Sequence, residues 1–127
     1  MSELFFSQTH QWVALVEGNR VHIGISQYAE EALGDIVYVE LPEAGKQVVA
    51  NELLGTIESV KTASEILSPV TGTLVACNEL LDEEPEKLNE QPLKTWIYLL
   101  EVDAETLARE QQQLLTASAY QQHLEQL

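Results

Sequence analysis

Glu58-Ser59-Val60-Lys61-Thr62-Ala63-Ser64-Glu65 spans the junction between two strand-like stretches, Leu54 to Val60 and Ala63 to Leu67. Apolar and β-branched residues in short stretches of this kind favour strands. Only the junction residues separate the two stretches, so we expect a hairpin with Lys61 at its exposed tip. Because other short β-like stretches occur at close spacing, the sequence predicts a sandwich or barrel rather than a parallel sheet.

The remaining β-like stretches lie on both sides of this junction. Trp12 to Val16 and Val21 to Ile25 flank Glu17-Gly18-Asn19-Arg20, which predicts a hairpin because turn-forming residues lie at its centre. The other predicted strands are Ile36 to Leu41, which Pro42 ends, Thr73 to Cys77, and Thr95 to Val102.

Helices are predicted in two regions of the chain. Ser26 is a suitable N-cap for a short helix over Gln27 to Leu33, which Gly34 can end. Asp103 is a natural N-cap for a C-terminal helix, and a second short helix is expected after Ser118. The expected apolar faces of these two helices comprise Ala104, Leu107, Ala108, Leu114 and Leu115, and Tyr120, Leu124 and Leu127. Such sparse apolar anchors would not hold helices alone, so both should pack on the β unit.

A short internal repeat surrounds the Lys61 junction. At one constant offset, Pro42, Gly45, Val48, Asn51, Glu52, Leu53 and Leu54 recur as Pro69, Gly72, Val75, Asn78, Glu79, Leu80 and Leu81. Two copies can form a closed unit of two related halves, which would put Val60-Lys61-Thr62 at an outer tip near a pseudo-twofold axis. The chain of 127 residues is long enough for one domain, with a β unit at residues 9–102 and helices at residues 103–127.

The composition excludes several functions. Six Lys plus Arg stand against 21 Asp plus Glu, for a net charge of −15, so the clustered basic residues that bind nucleic acid are missing. The acidic surface favours a soluble monomer and encounters with positively charged partners. The sequence has no apolar stretch long enough to span a membrane. Cys77 is the single cysteine and the start Met1-Ser2-Glu3-Leu4-Phe5-Phe6 resembles no signal peptide, so we expect a reducing, cytoplasmic location.

Lys61 itself permits two interpretations from the residues alone. A free lysine has a pKa of about 10.4 and is a poor nucleophile unless burial or a cationic neighbour activates it. The charged residues nearest in sequence are Glu58 and Glu65, which do not activate it. An exposed lysine at a hairpin tip is therefore either an ordinary solvated side chain or a target that another enzyme modifies with an activated acyl group.

The segment around Lys61 resembles the lipoylation segment of the H-protein family of the glycine cleavage system. Beyond Glu58 to Glu65, the similarity includes Ser68-Pro69-Val70-Thr71-Gly72, Thr9-His10-Gln11-Trp12-Val13, Val21 to Ser26, Tyr28-Ala29, Leu33 to Pro42, Asn78 and Asn89. Biotin carriers share the fold but typically set their lysine between methionines, whereas Val60 and Thr62 flank Lys61. Lipoyl domains of 2-oxoacid dehydrogenases usually place Asp before the lysine and lack the Trp12 region.

The resemblance implies a mainly β fold, a flattened barrel-sandwich of two antiparallel sheets with a short internal helix and C-terminal helices. It implies lipoate on Lys61, with Glu58, Ser59, Val60, Thr62 and Glu65 orienting the hairpin for lipoate-attaching enzymes. The chain would be a non-catalytic carrier of an aminomethyl group from glycine decarboxylase to the tetrahydrofolate-dependent aminomethyltransferase. Dihydrolipoyl dehydrogenase would then reoxidise the dithiol, and the cofactor and partners would supply the hard chemistry.

Three departures from the family pattern keep alternatives open. His10-Gln11-Trp12 has a neutral amide where relatives commonly have Glu, Ala32 stands where the helix often carries His, and Gln91 to Trp96 lacks the usual glycine. These changes affect the shelter for the loaded arm. The alternatives are an H-like paralogue that serves lipoate relay or another lipoate-linked process, and an unmodified interaction module that keeps only the fold.

The other chemically interesting residues favour structural roles. His10, His22 and His123 show no metal-ligand spacing, and Cys77 lies in an apolar stretch where cysteine behaves as a small hydrophobe. The acidic run Asp82-Glu83-Glu84-Pro85-Glu86 is expected to be a solvated loop, with docking of a partner as the alternative.

Overall fold

Nine strands and five helices make up the regular structure of residues 3–127, which the computed structural model describes. Met1 and Ser2 lie outside the described residues. They begin the N-terminal stretch that was interpreted above as unlike a signal peptide. The strands are β1 (Leu4–Phe6), β2 (Gln11–Leu15), β3 (Arg20–Ile25), β4 (Ile36–Val39), β5 (Gln47–Val48), β6 (Leu53–Ser59), β7 (Ala63–Leu67), β8 (Gly72–Cys77) and β9 (Tyr98–Glu101). The helices are α1 (Gln27–Leu33), α2 (Leu80–Glu83), α3 (Lys87–Glu90), α4 (Ala104–Gln111) and α5 (Ala117–Glu125).

Two antiparallel sheets enclose the main core. One has six strands in the order β1-β2-β3-β9-β8-β5, and the other has three in the order β4-β6-β7. Side chains that alternate along the strands fill the space between the sheets, and Ile23, Leu54 and Leu100 are each 0% exposed there. The predicted fold class, a mainly β barrel-sandwich of two antiparallel sheets with added helices, is confirmed.

Both predicted hairpins are present. β2 pairs with β3 through Val13 and Ile23, and β6 pairs with β7 through Ile57 and Ser64. The predicted helix α1 also forms at the expected residues. The Ser26 side chain accepts a hydrogen bond from the amide of Ala29, and Gly34 ends the helix at φ +79°.

The acidic run at Asp82 was wrongly predicted to be a loop throughout. Asp82 and Glu83 belong to α2, and α3 begins immediately after the run. The charges remain near the surface, but the leucines on either side decide the conformation, because Leu81 is 1% and Leu88 0% exposed. Charge pattern alone could not reveal this burial, which depends on distant strands. The short strands β1 and β5 were also missed, since each is too short to show alternation.

The C-terminal helices begin close to where they were predicted but pack differently. Asp103 caps α4 by accepting from the amide of Thr106, whereas Thr116 rather than a later residue caps α5. The predicted apolar faces are partly wrong. Because α4 ends at Gln111, the leucines after it do not lie on the same helical face as Ala104 and Ala108. Both alanines are exposed. Leu107, Leu114, Leu115, Tyr120 and Leu124 do pack inward, but Leu127 is 66% exposed.

The two copies of the internal repeat contact each other but do not keep the same conformation. β5 pairs with β8, and the amide of Gly45 donates to the carbonyl of Leu74. Further along, Leu53 opens a strand while Leu80 opens a helix. The copies are therefore related in sequence and adjacent in space, yet they differ at their ends. Among residues 3–127, no helix has both the length and the apolar character that crossing a bilayer requires.

Candidate functional site

The hairpin tip that carries Lys61 has a defined geometry. The backbone N–H of Ser59 donates to the carbonyl of Thr62 at 2.8 Å. The Ser59 hydroxyl oxygen accepts from the amides of Lys61 and Thr62 at 3.3 and 3.2 Å. One serine side chain therefore accepts from the backbone N–H groups of both Lys61 and Thr62, which fixes the backbone of Lys61 although its side chain is exposed.

The tip rests on the connection between α1 and β4. The amide of Val60 donates to the carbonyl of Asp35 at 3.0 Å. The Lys61 side chain crosses Gly34 so closely that a Cβ atom at that glycine would lie 3.3 Å from Cε of the lysine. Gly34 thus has two functions, since its positive φ ends the helix and its missing side chain leaves a path for the lysine.

Asn89 holds this connection from the opposite side. Its Oδ1 accepts from the amide of Ile36 at 2.9 Å, while its Nδ2 donates to the carbonyl of Gly34 at 2.7 Å. The same Nδ2 also donates to a carboxylate oxygen of Glu30 at 2.8 Å. One side chain therefore ties the last turn of α1 to the start of β4, directly beside the position on which the lysine hairpin rests. The resemblance included Asn89, but nothing in its local sequence indicated this role.

A cleft of about 230 Å³ begins next to the hairpin tip. Its lining includes Thr62 and Glu65 from the hairpin side and Tyr28 and Ala32 from α1. The segment at Thr9, His10 and Gln11 completes the opposite wall, with Ile57 and Ile66 also among the lining residues. The cleft is mixed in character, with apolar and hydrogen-bonding groups on its walls. A flexible chain attached to Nζ of Lys61 could fold back into it.

Gln11 lines this cleft with a neutral side chain. It is 3% exposed, and its Oε1 accepts from the hydroxyls of Ser7 and Thr9. Its Nε2 donates to the carbonyl of Thr9 at 3.0 Å. The amide is thus committed to the turn before β2, and Glu65 supplies the carboxylate among the residues that line the cleft.

The predicted site residues lie in the cleft lining, in the turn itself or on the exposed surface of the hairpin. Thr62 and Glu65 line the cleft, and Ser59 shapes the turn. Glu58 and Val60 are exposed residues of the hairpin that are not part of the cleft lining. Sequence reasoning missed Tyr28 and Leu33 as lining residues. They belong to the site only because α1 and β7 line the same cleft in three dimensions.

The histidines and the cysteine have structural surroundings. Burial lowers the pKa of His22, which stacks on Trp96 with ring centroids 4.6 Å apart. Burial, with a smaller contribution from Glu79, raises the pKa of Cys77 to about 11, and its thiol donates to the carbonyl of Pro42. Within residues 3–127 no cluster of His, Cys, Asp and Glu could hold a metal ion.

Comparisons with known proteins agree along almost the whole chain. The family model described as Glycine cleavage H-protein matches residues 4–127. The glycine cleavage system H protein of Anoxybacillus flavithermus is 50% identical over 125 residues, covering 98% of this chain and 95% of that one. A probable glycine cleavage system H protein of Pyrococcus furiosus is 41% identical over 124 residues, covering 98% and 91%.

A solved structure shows the same fold. The crystal structure of a glycine cleavage system H protein from Mycobacterium marinum superposes with a TM-score of 0.82 at 31% identity, covering 98% of each chain. The predicted resemblance is therefore confirmed, and this chain belongs to the glycine cleavage H-protein family.

Proposed function

We propose that residues 1–127 form a single carrier domain that bears lipoate in amide linkage to Nζ of Lys61. In glycine cleavage, the lipoylated chain takes an aminomethyl group from glycine decarboxylase to the tetrahydrofolate-dependent aminomethyltransferase and then presents its dithiol to dihydrolipoyl dehydrogenase. The observation that best supports this proposal is that Lys61 is exposed at a hydrogen-bonded hairpin tip, with a cleft beginning beside it.

The residues around Lys61 fit a lipoyl group. In the described part of the chain, Lys61 takes part in none of the ion pairs, so acylation of its amine disrupts no salt bridge. Because amide formation replaces an ammonium group, it adds one negative unit to a net charge of −15. When bound, lipoate supplies a redox-active dithiolane that accepts and releases the aminomethyl group.

The chain's own residues supply tethering, presentation and shelter. Ser59 fixes the tip, while Glu58 and Val60 are exposed on the hairpin for contact with a lipoate-attaching enzyme. Thr62 and Glu65 are placed to contact an arm that folds back into the cleft. The chain is non-catalytic, monomeric and cytoplasmic in this proposal. Its partner complexes are transient, because a shuttle that dissociates slowly cannot turn over.

Intact mass spectrometry tests the attachment directly. After expression with lipoate, the wild-type chain should gain the mass of one lipoyl group, and peptide mapping should localise it to Lys61. Lys61→Arg should abolish the gain, whereas Lys46→Arg and Lys94→Arg should keep it. Absence of any gain in the wild type would leave the unmodified interaction module as the better function.

A second candidate is an H-like paralogue that serves lipoate relay. It is favoured by Gln11, whose neutral amide stands in the cleft wall and is fully hydrogen-bonded within its own turn. Glycine–bicarbonate exchange with glycine decarboxylase separates the two candidates. A fully lipoylated chain should support exchange as a cleavage carrier, and failure of exchange would favour relay.

A further inference from the structure

The C-terminal helix α5 packs behind the cleft wall, and Tyr120 makes its hydrogen bonds to that wall. Tyr120 is 5% exposed, and its ring stacks on Phe6 with centroids 4.4 Å apart and an interplanar angle of 5°. Phe6 in turn exchanges backbone hydrogen bonds with Leu115, at 2.8 and 2.7 Å. The ring of Tyr120 is therefore fixed by β1 and by the segment that leads into α5.

The hydroxyl of Tyr120 lies between two polar groups. It donates to Oγ of Ser26 at 2.8 Å, and it lies 2.7 Å from Nδ1 of His10. A phenol has one proton to donate, and that proton is given to Ser26. In that arrangement Nδ1 of His10 carries the proton in the second contact, and Nε2 of the neutral ring is an acceptor.

Both partners of this hydroxyl belong to the walls of the cleft. Oγ of Ser26 also accepts from the amide of Ala29 at 3.2 Å, which caps α1, and the amide of Ser26 donates to the carbonyl of His10 at 3.0 Å. The His10 ring lies 4.5 Å from that of Tyr28. His10, Tyr28 and Ala29 all line the cleft. A single hydroxyl thus joins the first turn of α1 to the segment before β2.

The backbone of His10 adopts a conformation that surrounding contacts must hold. Its φ of +79° is uncommon for a residue with a side chain, although histidine tolerates it better than most. Such a conformation persists only when surrounding contacts hold it. Burial, and to a smaller extent His123, lowers the pKa of the His10 imidazole, which favours the neutral ring.

We propose that Tyr120 is a positioning residue for the cleft beside Lys61. Its hydroxyl holds His10 in the tautomer with the proton on Nδ1 and anchors the first turn of α1. The cleft wall therefore contains a fixed histidine with an unprotonated Nε2. The C-terminal helix thereby contributes to the site although it lines no part of it. This inference rests on the proposed function, in which the cleft receives the lipoyl arm.

The first test uses the unmodified chain and needs no lipoate. NMR of the imidazole nitrogens should show His10 protonated on Nδ1 in the wild type and shifted towards Nε2 protonation in Tyr120→Phe. That variant keeps the stacked ring, and exchange of the Ala29 amide should become about three- to tenfold faster. The matched control is Tyr38→Phe on β4, where an exposed tyrosine loses the same hydroxyl. Nε2 protonation in the wild type, or an unchanged tautomer in Tyr120→Phe, would overturn the proposal.

The second test uses the lipoylated, loaded chain. Tyr120→Phe should shorten the lifetime of the carried group about three- to tenfold while the extent of lipoylation stays at the wild-type level. Tyr38→Phe should leave the lifetime unchanged, and equal lifetimes in both variants would contradict the positioning role. A chain that takes no lipoate would refute the proposed function instead, and mass spectrometry would reveal that before any lifetime is measured.

Discussion

The backbone N–H of Val60 donates a 3.0 Å hydrogen bond to the carbonyl oxygen of Asp35, and this contact joins the lysine hairpin to the end of α1. The hairpin is otherwise a projecting turn held by Ser59. Through Asp35 it becomes part of a rigid unit in which Asn89 holds both flanking backbone groups. The orientation of Lys61 therefore depends on residues far away in sequence, and substitutions there should affect both stability and lipoylation.

Gly34→Ala should destabilise the chain and slow lipoylation. The φ of +79° and ψ of −145° belong to a region that is nearly restricted to glycine, so strain should cost about 1–3 kcal/mol. The added methyl would also crowd the Lys61 side chain. Urea denaturation and the initial rate of lipoylation measure the two effects.

Gly18→Ala is the matched control for that variant. Gly18 also has a positive φ, +61°, but a Cβ atom there meets nothing within 4 Å. Its loss of stability should be smaller, about 1 kcal/mol, with an unchanged lipoylation rate. Equal lipoylation rates in the two variants would show that Gly34 does not shape the path of the lysine.

Asn89→Ala should lower the free energy of unfolding by about 2–4 kcal/mol, because it leaves the amide of Ile36 and the carbonyl of Gly34 without their partner. Lipoylation should slow as the support of the hairpin loosens. Asn78→Ala is a suitable comparison, since the Asn78 side chain donates one hydrogen bond, to the carbonyl of Trp96. It should cost about 1 kcal/mol and leave the lipoylation rate unchanged.

Local sequence predicted the parts of the site that local chemistry determines. The hairpin around Lys61 follows from two short β-like stretches, and α1 follows from its capping serine and terminal glycine. The cleft could not be predicted in this way. It exists because α1, the Gln11 segment and β7 converge, and the contacts that bring them together link residues far apart in the chain. Asn89 illustrates the same limit, since its three hydrogen bonds span more than fifty residues.

The same dependence on distant contacts explains the mistaken prediction at Asp82. An acidic run indicates solvent exposure, but it does not determine the backbone conformation. Leu81 and Leu88 are buried in the main core, where α2 packs on β4 and α3 packs on α1, and this burial favours two short helices. Tertiary contacts override local preference most easily in elements of about one turn.

Gln11→Glu should extend the lifetime of the carried aminomethyl group at some cost in stability. A carboxylate in the cleft wall would attract a terminal ammonium, as Glu65 can already do from the other wall. The new oxygen would face the carbonyl of Thr9, which now accepts from Nε2, so stability should fall by about 1–2 kcal/mol. Release of the group into buffer can be followed over time.

Glu65→Gln provides the opposite change in the same cleft. It should shorten the lifetime of the carried group, and its effect on stability should stay within about 0.5 kcal/mol because Glu65 is exposed. If both variants left the lifetime unchanged, charge in the cleft would have no part in protecting the group.

Cys77 should react slowly with thiol reagents in the folded chain. With its pKa raised to about 11, few molecules carry the thiolate near neutral pH, and alkylation at about pH 8 should be about a hundredfold slower than in urea. Rapid labelling of the native protein would mean that β8 opens readily. A slow reaction would show that this thiol does not compete with a dithiol carried at Lys61.

The dependence of stability on pH should reflect two partly buried histidines, His10 and His22. Burial lowers the pKa of both His10 and His22 in the folded chain, so the unfolded chain binds more protons once the pH falls below the ordinary histidine value of about 6.5. The free energy of unfolding should therefore lose a contribution between about pH 7 and pH 5. Protonation of carboxylates relieves repulsion in a chain of net charge −15, and this opposes the histidine effect at the acidic end.

A double variant separates the histidine effect from the carboxylate effect. His10→Asn preserves tolerance of the positive φ, and His22→Gln preserves polarity. Urea denaturation of wild type and variant across this range should give a stability difference that shrinks as the pH falls. A constant difference would mean that neither histidine is held neutral by folding.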